Sequence, residues 1–172
     1  VSNMMWSFRE MLPVPAACVQ FSGGEPTLPP RFFDIVQLAK KMGFSAIQIA
    51  TNGIKFADLD FAFRSREAGV HSLYLQFDAT CDSVYEKIRG CSLLEIKLGA
   101  IENCRKTGIK VVLVPTIAKW INDDEVGNIL NLAIENVDVV SGISFQPIVF
   151  TGRFSKQERE KMRFTLSDLA HC

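Results

Sequence analysis

The sequence lacks the features that mark membrane-spanning proteins, secreted proteins and general nucleic-acid binders. No apolar run approaches the roughly 18 uninterrupted residues that a membrane-spanning helix needs. Residues 1–15 lack the basic start and the small-residue cleavage site of a signal peptide. Lysine plus arginine number 19 and aspartate plus glutamate number 19, so no net charge attracts nucleic acid or an anionic membrane. The remaining class is one globular domain, since 48% of the 172 residues are hydrophobic.

Cysteine is also sparse, and it is spread along the chain. The five cysteines form no CxxC pair and are odd in number: Cys18, Cys81, Cys91, Cys104 and Cys172. This usage favours reduced thiols and a cytoplasmic location over a disulfide framework. Cys18, Cys91 and Cys104 fall on apolar faces and are predicted to be core thiols. No metal ligands are predicted within this chain.

Hydrophobic periodicity predicts an α/β protein. Short apolar runs alternate with longer segments of helical period, which indicates βα units and a mainly parallel sheet. The predicted strands run nearly continuously apolar and cover 17–21, 46–50, 72–77, 110–115 and 142–148. A doubly wound sheet and a partial or full (β/α) barrel both fit this pattern. An ordinary nucleotide-binding domain fits poorly, because no GxGxxG or GxxxxGK[ST] follows any strand.

The predicted helices cover 4–11, 30–43, 58–69, 92–108 and 122–137. The helix at 92–108 is predicted to begin with a capping box of Ser92 and Glu95. Asn122 is predicted to open the next helix, followed by acidic residues at its positive end. The spacing of its apolar residues predicts a buried stripe consisting of Val126, Ile129, Leu130, Ala133, Ile134 and Val137.

Small and polar residues follow each predicted strand, at the rim where parallel α/β folds bind ligands. These loops are 22–27, 51–53, 78–80, 116 and 151–153. In the first loop, two glycines allow close backbone approach to a ligand and Glu25 offers a carboxylate to a cationic group. A plain turn with a solvated glutamate is the alternative interpretation. Gln76 and Gln146 lie in apolar strands, and each fits a structural hydrogen bond or a ligand contact equally well.

Three motifs at the ends of successive strands resemble those of the radical S-adenosylmethionine (SAM) enzymes. They are Gly23-Gly24-Glu25-Pro26, Thr51-Asn52-Gly53 and the YEKIRG string at 85–90. The resemblance implies SAM as a cofactor and a partial (β/α)6 barrel with about five of its six strands. It also implies that Glu25 binds the methionine ammonium, while later strand ends contact the ribose, carboxylate and adenine. The cofactor-binding residues implied are Gly23, Gly24, Glu25, Pro26, Thr51, Asn52, Asp78, Arg89 and Gln146.

Longer strings at 47–54, 75–78, 113–116 and 143–153 look like the archaeal tetraether lipid synthase group. Those radical SAM enzymes join isoprenoid lipid chains by forming carbon–carbon bonds. The likeness implies a small-molecule or lipid substrate, an electron donor, and a membrane-peripheral location if the substrate is a lipid. Four apolar residues near the rim fit an alkyl channel and a closed core equally well: Ile117, Trp120, Ile148 and Phe150.

The chain departs from the family in one respect, because it contains no CxxxCxxC loop for a [4Fe–4S] cluster. We expect a fragment that starts after this loop, with the barrel at 1–154 and a C-terminal extension starting at 155–172; a relative that lost its cluster is the other interpretation. In the full-length protein the cluster would cleave SAM to a 5′-deoxyadenosyl radical for hydrogen abstraction, and this chain alone would be inactive. A SAM- or nucleotide-binding module without redox activity is the alternative function.

Overall fold

The computed structural model describes residues 1–149 and 155–171. The helices and strands are α1 (Ser2–Arg9), β1 (Cys18–Phe21), α2 (Phe32–Lys41), β2 (Ala46–Thr51), α3 (Leu59–Ala68), β3 (Ser72–Gln76), α4 (Asp82–Arg89), α5 (Leu94–Thr107), β4 (Lys110–Val114), β5 (Thr116–Ile117), α6 (Val126–Glu135), β6 (Val140–Ile143), β7 (Gln146–Pro147), α7 (Lys156–Met162) and α8 (Leu166–Leu169). Short 3₁₀ turns at Ile54–Ala57 and Asp123–Glu125 precede α3 and α6.

The five longer strands form one parallel sheet in the order β1-β2-β3-β4-β6. Strands that follow one another along the chain therefore lie side by side, with helices in the connections. The predicted α/β class and the predicted parallel sheet are confirmed, and the architecture matches a partial (β/α) barrel. Within the described residues β1 forms one edge of this sheet. Two short strands, β5 and β7, form a second parallel pair in which Thr116 lies opposite Gln146.

One face of the sheet packs on helices and the other is polar. Burial alternates along β2 and β3, so Ile47, Ile49, Leu73 and Leu75 are fully enclosed in the core with residues of α2, α3 and α5. Gln48 and Gln76 point the other way and are half-buried. The prediction of continuously apolar strands is wrong, because packed helices cover only the first face of the described sheet.

The predicted start of the helix at 92–108 is also wrong. The cap residue of α5 is Leu93, and Ser92 instead donates a hydrogen bond to Glu86, 2.8 Å away. The carboxylate of Asp82, in the first turn of α4, accepts hydrogen bonds from the backbone N–H groups of Leu93 and Leu94 at 2.8 and 2.9 Å. The N-terminus of α5 is therefore capped by a residue from the preceding helix.

Helix α6 buries only part of its predicted stripe. Val126, Ile129 and Ala133 are buried, whereas Leu130, Ile134 and Val137 are 47%, 62% and 75% exposed. The predicted strand at 142–148 is likewise divided between β6, which starts two residues earlier, and β7. Both differences occur at the β6 edge, where no further described strand covers the sheet.

The segment at 155–171 contacts the rest of the molecule through Phe164, which is buried against Ile117 and Val126. The domain boundary at residue 154 stays a prediction, and the predicted rim loop at 151–153 lies outside the described residues, as does Phe150. No helix among the described residues is long and apolar enough to cross a membrane.

Candidate functional site

A cavity of about 590 Å³ lies at the carboxyl ends of the parallel strands. Eleven residues line it: Gln20, Gly24, Glu25, Ala50, Thr51, Asn52, Tyr74, Gln76, Val114, Thr116 and Gln146. They come from β1 to β5 and β7 and from the loops that follow β1 and β2. Five of the nine residues expected to bind a cofactor are among them, while Gly23, Pro26, Asp78 and Arg89 are not. Among the described residues that line the cavity, Glu25 is the only one with a charged side chain, so this part of the wall suits a ligand with one cationic group.

The carboxylate of Glu25 is held by four hydrogen bonds. Its Oε1 accepts from the backbone N–H of Thr27 (3.2 Å) and from the hydroxyls of Thr27 and Thr51 (both 2.7 Å). Its Oε2 accepts from the backbone N–H of Asn52 at 2.7 Å. These donors fix the carboxylate against the cavity wall and stabilise its charge. Thr27 was not predicted from the sequence, although its position two residues after Glu25 permits this local contact.

The turn after β2 places the donors that hold Glu25. Oδ1 of Asn52 accepts from the N–H of Ile54 at 2.9 Å, and Oγ1 of Thr51 accepts from the N–H of Gly53 at 3.1 Å. Gly53 has a φ of 79°, and a Cβ added there would overlap Cδ1 of the buried Leu75. The Thr51-Asn52-Gly53 motif is therefore required by the turn, and two of its residues act on Glu25 directly.

Lys97 lies fully buried beneath this turn, and its ammonium donates a hydrogen bond to the carbonyl of Asn52. Burial lowers the pKa of Lys97 from 10.5 to about 8, although the nearby carboxylates of Asp78 and Glu25 partly oppose the shift. The sequence pattern does not mark this residue as part of the site. Its signal is a lysine on the buried stripe of α5, three residues after Leu94 and four before Ile101.

The structure places Asp78 away from the cavity. Its carboxylate is fully buried and accepts hydrogen bonds from Nε (3.1 Å) and Nη2 (2.8 Å) of Arg89 and from the backbone N–H of Thr116 (3.0 Å). The expected convergence of Asp78 with Glu25, Asn52 and Gln146 on one cavity is wrong, because Asp78 is engaged by Arg89 and Thr116. The Arg89 side chain is 34% exposed, so the ion pair orients a guanidinium that solvent still reaches.

The buried side-chain amide of Asn122 connects the loops around Asp78. Nδ2 of Asn122 donates to the carbonyls of Asp78 (2.8 Å) and Thr116 (2.9 Å), and its Oδ1 accepts from the N–H of Ala118 (2.8 Å). Asn122 therefore does not provide the helix cap that its position predicted.

The carboxylate of Glu125 accepts hydrogen bonds from the backbone N–H and the hydroxyl of Thr80. Burial opposes the ionised form, but hydrogen bonds from Thr80 and Asn128 outweigh it and lower the pKa of Glu125.

The cysteines do not form a metal site in the described part of the chain. Within residues 1–149 and 155–171, no three Cys, His, Asp or Glu residues are grouped so that they could hold a metal ion. Cys104 is buried, as predicted, and burial raises the pKa of its thiol to about 12. Cys18 and Cys91 are exposed, so their assignment to the core is wrong. The described residues therefore supply no ligand set for a [4Fe–4S] cluster.

The fold and the site together define a parallel α/β protein with a fixed carboxylate in a cavity at its strand ends. The profile of the Radical SAM superfamily matches residues 8–133. The chain belongs to this superfamily of enzymes, which use SAM and a [4Fe–4S] cluster.

Two relatives illustrate the range of reactions within this superfamily. The chain is 45% identical over 169 residues to a 7,8-dihydro-6-hydroxymethylpterin dimethyltransferase of Methanocaldococcus jannaschii, covering 98% of this chain and 33% of the relative. It is 26% identical over 131 residues to a probable GTP 3′,8-cyclase of Sulfurisphaera tokodaii, covering 76% of the chain and 41% of the relative. The chain thus spans about a third of the length of the first relative.

A solved structure supports the same fold. The chain superposes on anSMEcpe with bound AdoMet and a Cp18Cys peptide with a TM-score of 0.69, at 16% identity, covering 97% of this chain and 47% of that one. At this level of identity the similarity shows the fold alone.

Proposed function

We propose that this chain forms the SAM-binding part of a radical SAM enzyme that modifies a small polar molecule, with a reduced pterin as the leading substrate. The carboxylate of Glu25 supports this proposal most directly, because it is the only charge among the described residues of the cavity wall and four hydrogen bonds hold it in place. A methionine ammonium is the group of SAM that such a carboxylate binds best.

In this proposal the other expected cofactor residues have different tasks. Gly24 lets the backbone turn beside the ligand, while Gly23 and Pro26 shape the loop from outside the cavity. Thr51 and Asn52 hold Glu25 in place. Gln146, on the wall at β7, remains a candidate for direct contact with SAM.

Arg89 is the candidate for binding the SAM carboxylate. A guanidinium binds a carboxylate through paired hydrogen bonds, and Asp78 already orients it through two of its nitrogens. Asp78 is then a positioning residue and not a ribose ligand, because its carboxylate is fully buried, lies outside the cavity lining and is bound by Arg89 and Thr116.

SAM and the cluster of this family together supply a 5′-deoxyadenosyl radical when bound. The described residues offer no cluster ligands, so the chain's own contribution is to bind SAM, orient it and exclude water.

The choice of a pterin follows from the 45% identical relative, whose name gives a reduced pterin as its substrate. Coupling of isoprenoid lipid chains, implied by the tetraether synthase resemblance, is the alternative. The structure gives it little support, because Ile117 is fully buried and Trp120 is 77% exposed. These two residues do not form an alkyl channel.

The test is anaerobic reconstitution of the full gene product with iron and sulfide, followed by incubation with SAM and a reductant. We expect 5′-deoxyadenosine, formed faster when 7,8-dihydro-6-hydroxymethylpterin is added, because the 5′-deoxyadenosyl radical then takes a hydrogen atom from the pterin. The 172-residue chain treated in the same way should form no stoichiometric cluster and no product. Stimulation by an isoprenoid lipid alone would favour lipid coupling, and SAM binding without any 5′-deoxyadenosine would favour a module without redox activity.

A further inference from the structure

Besides Glu25, the cavity is lined in part by uncharged polar side chains that make no hydrogen bond within the described residues. Gln20 on β1 and Tyr74 and Gln76 on β3 belong to the sheet face that the helices leave uncovered, and all three line the cavity. We call these three residues the amide wall. Among the described residues, neither their side-chain amides nor the Tyr74 hydroxyl makes a hydrogen bond. Other polar side chains of the site, such as Asn122 and Glu25, have several partners each.

The strand register determines how these groups are spaced. Gln20 lies opposite Gln48, and Gln48 opposite Ser72, so Gln20 is two strands away from β3. Tyr74 is two residues after Ser72 on the same face and lies opposite the small residue Ala50. Since neighbouring strands are about 4.8 Å apart, the three groups surround a space roughly 10 Å across. This width suits a small planar ring system.

The chemistry of the amide wall selects one class of ligand. A glutamine amide donates and accepts hydrogen bonds, so a pair of them matches a ring edge that presents both kinds of group. The absence of a cationic side chain on the described cavity wall gives no counter-charge for a phosphate or a carboxylate. An alkyl chain here would remove water from the amides without replacing their hydrogen bonds.

We infer that the amide wall of Gln20, Tyr74 and Gln76 is the substrate-recognition site, and that it binds a neutral, planar heterocycle with a lactam or aminopyrimidine edge. The ring stacks on Tyr74, and the two amides bind its polar edge. This inference rests on the proposed function, in which SAM binds to Glu25 in the same cavity.

The test measures equilibrium binding of 7,8-dihydro-6-hydroxymethylpterin and of SAM to the full-length protein with its cluster. We compare wild type with Gln20→Leu, Gln76→Leu and the matched control Gln48→Leu, which lies on the same sheet face outside the cavity lining. We expect Gln20→Leu and Gln76→Leu each to weaken pterin binding about three- to tenfold, as for the loss of a neutral hydrogen bond. SAM binding should stay within twofold of wild type in every variant, and Gln48→Leu should bind both ligands normally.

Three outcomes would overturn the inference. Normal pterin binding by both cavity variants, with wild type binding pterin, would refute the amide wall and leave the proposed function intact. Weaker SAM binding in Gln76→Leu would assign this wall to the cofactor. A wild-type protein that binds SAM but not the pterin would refute both the inference and the pterin assignment, while leaving SAM binding by Glu25 in place.

Discussion

At the scale of single residues, we expect the stability of the protein to be most sensitive to substitution of Gly53. Gly53→Ala introduces a Cβ both at a φ of 79° and against the buried Leu75, whereas Gly24→Ala introduces one at a φ of 50° into open space. We expect Gly53→Ala to lower the free energy of unfolding by about 2–4 kcal/mol and Gly24→Ala by about 1–2 kcal/mol. Urea denaturation of both variants measures the difference. Equal losses would show that Leu75 moves aside without cost.

The buried Lys97 should make the free energy of unfolding depend on pH. Its pKa is about 8 in the folded protein and 10.5 in the unfolded chain, so between these values the unfolded state binds more protons. Stability contributed by this group is therefore fully present above pH 10.5 and is lost as the pH falls through 8. Between pH 7.5 and 10 we expect wild type to gain about 2–3 kcal/mol relative to Lys97→Met.

The measurement for Lys97 is urea denaturation across that pH range. The exposed Lys87 serves as the control, because Lys87→Met should keep the pH slope of the wild-type protein. A wild-type slope identical to that of Lys97→Met would mean that the Lys97 ammonium stays charged in the folded state throughout.

Residues of the candidate site could be predicted when they belong to a short sequence motif. They could not be predicted when their position depends on contacts between distant segments. Glu25 and Asn52 were found because their loops follow predicted strands and resemble family motifs. The pairing of Asp78 with Arg89 and Thr116 could not be predicted, because it depends on how three segments pack. Lys97 was missed because a lysine in a helix is normally exposed.

At the scale of elements, the cap of α5 is a contact between two helices. Asp82→Ala removes the acceptor for the N–H groups of Leu93 and Leu94, and we expect it to lower the free energy of unfolding by about 1 kcal/mol. Ser92→Ala should cost much less, since its hydroxyl bonds only to the exposed Glu86. Thermal and urea unfolding of both variants measure this. A larger loss of stability for Ser92→Ala than for Asp82→Ala would contradict this cap and support the capping box predicted from the sequence.

Helix and strand periods predicted most elements but not their exposure. The sequential strands and the ends of α3 and α5 at Gly69 and Gly108 agree with the sequence pattern. The exposed Leu130 and Ile134 do not, because an apolar stripe indicates which face of α6 can be buried and not how much of it is covered. The alternation along β2 and β3 was overlooked because Ala50 and Tyr74, on the polar face, also count as hydrophobic residues.

At the scale of the whole molecule, the fold has one packed face and one polar, concave face. The helices cover the first, with Val36, Ile49, Leu73 and Leu113 among its fully buried residues. The second holds the cavity, with the fixed carboxylate of Glu25 at one end. The superfamily and the fold were predictable from the sequence. The choice between a lipid and a heterocyclic substrate was not, since it depends on which side chains reach the cavity.

The most direct test of the central claim is the affinity for SAM of the full gene product carrying Glu25→Gln. This change keeps the size of the side chain and removes the charge that we assign to the methionine ammonium. We predict that SAM binding weakens about 10- to 100-fold, the usual effect of losing a hydrogen bond between charged groups. Glu10→Gln, at an exposed position after α1, should bind SAM as wild type does. Unchanged affinity in a folded Glu25→Gln variant would contradict the account and return Glu25 to a solvated turn residue.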